Sequence, residues 1–366
     1  MSGSLIDVGD IPVPEAVDRG NKVNDEISGE LAYKLAFVGL GQAGGRLAAH
    51  YYGLGYRRVV AINTAKQDLD SLNLPAANKL DLGTGGAGKD PAVALKAITG
   101  REEDVHDLFK RCLGDEVDYA LVCFGAGGGT GSGTWPVAVS VLRAYFDGLR
   151  RPARIGGMVA LPKNEEGTCA AQNAAVAFDK IKAAQPALSP LLVVDNEKLS
   201  KVLYPRTAID KFWTISNNGF CTLLHLFNRI AATSSEYKPL DKIDFATIMD
   251  SGSVVLGSTI IKPCDTESDV AKAMRDQLLR NTVVDVDLSK GTRAALVFVG
   301  GPSVFSKLPV EFLDYSAAAI SRMLAPGAVV HHALYPGAQD DLRCYVMVGG
   351  LGLPEVRLQE LRKRTS

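Results

Sequence analysis

Gly127-Gly128-Gly129-Thr130-Gly131-Ser132-Gly133 is the stretch on which the fold turns. It comes just after the apolar run Tyr119-Ala120-Leu121-Val122-Cys123-Phe124 and just before a helical pattern at Val137 to Phe146. Five glycines in seven residues leave little side chain between backbone and ligand, so main-chain N–H groups can cradle phosphates. Thr130 and Ser132 add hydroxyls for phosphate oxygens. A strand running through such a loop into a helix is one step of an α/β sheet, whose ligands sit at the carboxyl ends of the strands.

Working outward, the same step recurs. Lys34 to Val38 is an apolar run that enters Gly39-Leu40-Gly41-Gln42-Ala43-Gly44, with a helix pattern from Gly44 to Tyr52 and a second strand at Val59 to Asn63. The glycine-rich stretch Gly83 to Gly88 leads into helical segments at Pro91 to Ile98 and Glu103 to Leu113, and strand-like runs return at Ile155 to Leu161 and Leu191 to Val194. This alternation predicts a parallel sheet wound on both faces. A long apolar helix from Ile209 to Ala232 follows. Then come strands at Ser251 to Ile261, Ala294 to Gly300, Val329 to Tyr335 and Arg343 to Val348, with helices at Asp269 to Leu279 and Val310 to Leu324. The expected layout is an acidic arm over 1–32, a ligand-binding α/β domain over 33–208, a central helix over 209–235, a smaller α+β domain over 236–352, and a basic tail over 353–366.

Of 366 residues, 46% are apolar and 22% charged, which are globular values and exclude wholesale disorder. Forty basic residues oppose 41 acidic ones, so no global field drives the chain onto nucleic acid or anionic lipid. The six cysteines are scattered without a CxxC pair and read as reduced thiols, not a zinc site or disulfide frame. The first residues lack signal-peptide character and no apolar run is long enough to span a bilayer, so a cytoplasmic protein is expected.

Gly39 to Gly44 is a literal GxGxxG, which raises a NAD- or FAD-linked oxidoreductase. That reading needs an acid at the end of the next strand for the ribose. The strand ends in Asn63-Thr64 instead, with no acid before Asp68. A GxxxxGK[ST] loop is absent.

GGGTGSG resembles the signature loop of the tubulin/FtsZ superfamily at all seven positions. The resemblance extends from Lys34 to Leu351 and is nearer to FtsZ than to eukaryotic tubulin. It implies a Rossmann-like GTPase domain, a long central helix, a C-terminal α+β domain, and GTP or GDP with Mg²⁺ as ligands. Gly41, Gln42, Ala43 and Arg46 match the first phosphate loop and the helix behind it, and Asn63 the loop after the second strand. Ala87, Gly88 and Lys89 resemble the loop that senses the γ-phosphate. Gly127, Gly128, Gly129, Thr130 and Gly131 form the signature loop. Pro162, Asn164 and Glu166 match the sugar loop, where Glu166 accepts from the ribose. Asn217 on the central helix falls where the family binds guanine; an amide both donates and accepts, which suits that base edge. Ala333 to Leu351 resembles the end of the FtsZ C-terminal domain.

The resemblance further implies a homopolymer: protofilaments assembled head to tail, each GTP site completed by an acidic loop of the next subunit. That loop aligns with Lys242 to Thr247, with Asp244 as the first acid. Thr247 stands where a second Asp is expected and Lys242 where an Asn is, so Asp250 or Asp241 is a substitute acid. The alternative for Asp244 is capping a helix. Ala170 replaces an Arg of the sugar loop, and Lys89 replaces a small residue, either contacting phosphate or lying in solvent. The chain lacks the acidic-apolar peptide by which division FtsZ recruits adaptors. Its Arg362-Lys363-Arg364 end reads as a solvated tail or a docking element for DNA, anionic lipid or an acidic surface, the acidic arm included. His331-His332 reads as structural, and Phe212, Trp213, Phe220 and Phe227 as core between the two domains. A GTP-binding scaffold with little hydrolysis is the nearest alternative function. Division, cell shape and DNA positioning all remain open as roles.

Overall fold

Strand β1 (Leu35–Leu40, LAFVGL) is buried at all six positions, which is why it reads as a continuous apolar run without alternation. In the computed structural model the described residues are 31–149, 153–184, 187–203, 208, 211–235, 237–261, 271–275, 280–309, 311–338 and 340–365. The acidic arm before residue 31 and Cys264 lie outside them. The chain divides into two units, one built on Tyr33–Glu197 with Glu355–Ser366, the other on Lys198–Pro354.

In the first unit β2 (Val59–Asn63), β3 (Lys79–Asp81), β4 (Tyr119–Gly125), β5 (Arg154–Leu161) and β6 (Leu191–Asp195) join β1 in the order β3-β2-β1-β4-β5-β6, every pair parallel. Gly39 lies opposite Cys123 and Leu40 opposite Phe124, so β1 ends one residue short of β4. Helices α1 (Gly41–Gly53), α2 (Lys66–Asp70), α3 (Pro91–Ile98), α4 (Glu102–Cys112), α5 (Gly129–Asp147) and α6 (Thr168–Ala183) connect the strands, and a single turn, α7 (Asn196–Lys198), follows β6.

Two helices begin earlier than the sequence predicts. α1 starts at Gly41 rather than Gly44, and α5 at Gly129 rather than Val137. Glycine costs about 1 kcal/mol against alanine in a helix, so propensity argues for a loop at both places. Packing overrides it. A Cβ on Gly133 would stand 2.2 Å from the Pro91 carbonyl oxygen, and one on Gly44 would stand 1.9 Å from that of Cys123. Only glycine lets α5 reach α3 and α1 reach β4 at this distance.

The second unit contains α8 (Phe212–Ile230), α9 (Lys242–Met249) and strands β7 (Ser253–Ile261), β8 (Arg293–Gly300), β9 (Val329–Pro336) and β10 (Leu342–Leu351). Their order is β7-β10-β8-β9; β10 is antiparallel to both neighbours, while β8 and β9 are parallel. Helix Phe312–Ser321 links that parallel pair, and Phe312 meets Phe298 of β8 edge to face at 5.2 Å. Phe212, Phe220 and Phe227 are buried on α8, with Trp213 partly exposed. Of the helix expected at Asp269 to Leu279, only 271–275 lie among the described residues, and they are helical.

The segment read as a basic tail is a helix, Glu355–Lys363, belonging to the first unit. It packs on α6 with Leu358 and Leu361 buried. Among the described residues no helix is long and apolar enough to cross a membrane.

Candidate functional site

β1 leads outward to β2 and its neighbour β4 leads the other way to β5, so the strand order reverses between β1 and β4. Such a switch point opens a crevice at the carboxyl ends of the strands. α1 and α5 both start in it. Their N-caps, Leu40 and Gly128, make no side-chain capping bond. The same is true of Gly167 at the start of α6, which turns at a φ of 91°. By contrast, Asp90 caps α3 through the Ala92 N–H, and Asp241 caps α9 through the Asp244 N–H. The first-turn N–H groups of α1 and α5, with the positive ends of two long helices, are therefore offered to an anion. The loops touch: a Cβ on Gly41 would lie 3.0 Å from the Gly131 nitrogen, and one on Gly125 3.0 Å from the Ala43 Cβ. Gly41, Gln42, Ala43 and Gly127 to Gly131 are thus brought together, with the partly exposed Arg46 further along α1.

Asp68 joins two of these loops. Its carboxylate accepts from Gln42 Nε2 and from Asn63 Nδ2, each at 3.1 Å. Asn63 Oδ1 in turn accepts from the Thr64 N–H at 2.8 Å, and the hydroxyls of Thr64 and Thr130 are 2.6 Å apart. In the sequence Asp68 registers only as an acid placed too late for a dinucleotide site; nothing there marks it as a brace. Ser132 corrects the sequence expectation. It is 3% exposed and donates to the Ala126 carbonyl, so its hydroxyl closes the loop rather than facing a phosphate.

The 83–90 segment turns through left-handed backbone at Gly83, Gly85, Gly88 and Lys89, the last the one non-glycine with positive φ (63°) among the described residues. Lys89 Nζ donates to the Glu166 carbonyl at 2.9 Å, and its own carbonyl accepts from Asn173 Nδ2 at 2.8 Å. Its ammonium thus reaches the loop after β5 while the side chain stays exposed. Ala87 beside it is buried and Gly88 exposed.

In that loop, Glu166 Oε1 accepts from the Lys163 N–H at 2.7 Å. Asn164 is held on every side. Its N–H and Nδ2 both donate to Glu197 at 2.9 Å, and its Oδ1 accepts from Arg357 Nη1 at 2.8 Å. The Asn164 side chain is thereby built into the frame of the loop. Pro162 is buried, packed where a Cβ on Gly127 would stand 2.8 Å away. Arg357 and Asp195 are 4% and 5% exposed, 3.2 Å apart. Burial pushes the Asp195 carboxyl up to about 6, against the opposing pull of Arg357.

Asp244, Asp250 and Asn217 belong to the second unit. Asp241 performs the capping of α9, so Asp244 is released from it. The Asp244 carboxylate instead lies 3.0 Å from His331 Nδ1 of β9, with the two side chains 28% and 22% exposed. Thr247 Oγ1 donates to the Asp244 carbonyl within the helix. Asp250 is exposed at the C-cap of α9. Asn217 is half-buried on α8. The paired histidines divide: His331 meets Asp244, while His332 meets Lys238 Nζ at 2.9 Å, and burial together with Lys238 lowers its pKa. No pattern in the sequence announces that His331 of β9 meets Asp244 of α9.

Among the described residues no cluster of three or more His, Cys, Asp or Glu forms a metal cage. Mg²⁺ needs none in a phosphate site, since it keeps water and phosphate oxygens and takes one or two protein oxygens. The Asp68 carboxylate and the Gln42 amide oxygen are hard donors of that type at the switch point.

Residues 34–204 match the model of the tubulin/FtsZ family GTPase domain. Cell division protein FtsZ 1 of Pyrococcus horikoshii is 26% identical over 370 residues, covering 98% of this chain and 92% of the relative. The tubulin-like protein TubZ of Bacillus cereus is 24% identical, covering 92% and 83%. Among solved structures, the GDP-form protofilaments of Bacillus thuringiensis serovar israelensis TubZ superpose with a TM-score of 0.78 at 17% identity, covering 94% of this chain and 92% of that one.

Proposed function

The chain belongs to the tubulin/FtsZ family, with its GTPase domain within residues 34–204, and from that premise we propose that it binds GTP at the β1/β4 switch point and assembles head to tail into protofilaments, hydrolysing the nucleotide between subunits. One observation carries the reading. Two long helices, α1 and α5, start at the same crevice without a side-chain cap. Their N–H groups, with Gly127 to Gly131 and Ala87 to Lys89 around them, suit a polyphosphate.

Gln42, Ala43 and Arg46 flank the phosphates on one side and Asn63 on another. The loop from Pro162 to Glu166 takes the ribose through the Glu166 carboxylate, and Asn217 takes guanine. Asp68 and Gln42 carry the side-chain oxygens that would hold Mg²⁺, which would supply neutralisation of phosphate charge. Main-chain amides at Gly129, Thr130 and Gly131 meet charge that builds on the phosphate in the transition state. Asp244 of a second copy, oriented by His331, accepts the proton of the attacking water. A head-to-tail contact of this kind does not close on itself and propagates into a filament. The protofilaments of the TubZ relative support this mode of association.

Thr247, bonded within its own helix, favours a second reading, a GTP-binding filament with slow turnover. Competition against a fluorescent GTP tests the core reading: GTP and GDP displace it and NAD does not. Displacement by NAD alone overturns it.

A further inference from the structure

We infer that the C-terminal helix Glu355–Lys363 is a working part of the nucleotide site, with Arg357 as the positioning residue of the ribose loop. This rests on the reading that Pro162 to Glu166 holds the ribose.

Alternate carbonyls of this short loop each accept from a cation. Pro162 accepts from Arg357 Nη2 at 2.9 Å, Asn164 from Arg364 Nη2 at 2.7 Å, and Glu166 from Lys89 Nζ at 2.9 Å. Two of the three cations come from a segment 195 and 200 residues away in the chain. Arg357 applies its planar fork further: Nη1 donates to Asn164 Oδ1 at 2.8 Å and Nε lies 3.2 Å from Asp195 Oδ2. One buried guanidinium thus fixes the first carbonyl of the loop, the side chain at its centre and the end of β6.

Covering α6 needs none of this. Leu358 and Leu361 are buried against the unit, and Arg362 pairs with Asp179 of α6 at 2.7 Å. Those contacts hold the helix down. Arg357 and Arg364 are directed past α6, onto the loop whose last residue is the Glu166 carboxylate. Lysine in place of Arg357 keeps the charge but cannot reach Pro162, Asn164 and Asp195 together.

The test uses the full chain and compares GTP with 2′-deoxy-GTP in the same displacement assay. The unmodified protein prefers GTP. In Arg357→Lys the GTP affinity falls about tenfold while 2′-deoxy-GTP binding changes by less than about threefold, so the preference collapses. Arg364→Ala, at an exposed side chain, moves the preference the same way by a smaller factor with an unchanged melting temperature. If both variants keep the full preference, Arg357 serves the fold alone and the inference is overturned. If the unmodified protein binds GTP without preferring it, the ribose assignment and this inference fall while the GTP site stands. If it binds neither nucleotide, the proposed function itself falls.

Discussion

A carboxylate in the first turn of a helix usually serves as a cap, and Asp244 is relieved of that work by Asp241 three residues earlier. His331 then holds it. A positioned general base contributes about 10²–10⁴ in rate. Asp244→Asn is therefore expected to lower phosphate release by at least about 100-fold, with GTP affinity changed less than about twofold. His331→Gln leaves the acid in place but unoriented, and is expected to cost about tenfold in kcat with the same unchanged affinity. Phosphate-release kinetics beside nucleotide titration check both. Gly133 marks a different kind of dependence. A Cβ there would press on backbone at 2.2 Å, which cannot swing aside as a side chain would. Gly133→Ala is expected to destabilise by about 3 kcal/mol, the upper part of the overpacking range, or more, as read by urea unfolding.

The Asp195–Arg357 pair ties β6 to the C-terminal helix and makes that helix pH-sensitive. Burial raises Asp195 from 3.8 to about 6. A carboxyl whose folded pKa is raised favours the fold fully below its ordinary pKa, and this contribution is lost as pH rises through about 6; a shift of this size corresponds to roughly 3 kcal/mol. Above that pH the ionised Asp195 depends on Arg357. Arg357→Met leaves it buried and unpaired, and is expected to cost about 3–5 kcal/mol at pH 8. The loss shrinks at pH 5, where Asp195 takes up a proton. Thermal unfolding at the two pH values checks the sign: an equal loss at both means that the missing charge is not the cause. The sequence hid this element because its Arg-rich composition reads as a solvated run. Only Leu358 and Leu361, three residues apart, hint at a buried helical face, and apart from Glu360 the acids paired with Arg357 and Arg362, Asp195 and Asp179, lie far away in the chain. Strands fared better. β1, β4 and β5 are buried on both faces, so their apolar runs are unambiguous. The starts of α1 and α5 were hidden because glycine signals a loop unless close packing against α3 and β4 is already known.

At the scale of the whole molecule, GGGTGSG and GLGQAG disclosed the doubly wound sheet, its switch point and the GTPase domain, since each loop sits where a strand ends. The braces stayed hidden. Asp68 with Gln42, Glu197 with Asn164, His331 with Asp244 and Arg357 with Pro162 pair across long stretches of sequence, so no local pattern carries them. With the phosphates on one copy and Asp244 on the next, as proposed, turnover is a property of the assembly. The most direct measurement is the GTP hydrolysis rate per subunit as protein concentration increases. The expected result is negligible turnover below a threshold concentration and a steep rise above it, abolished by Asp244→Asn. A per-subunit rate that is constant over the whole concentration range would contradict the claim.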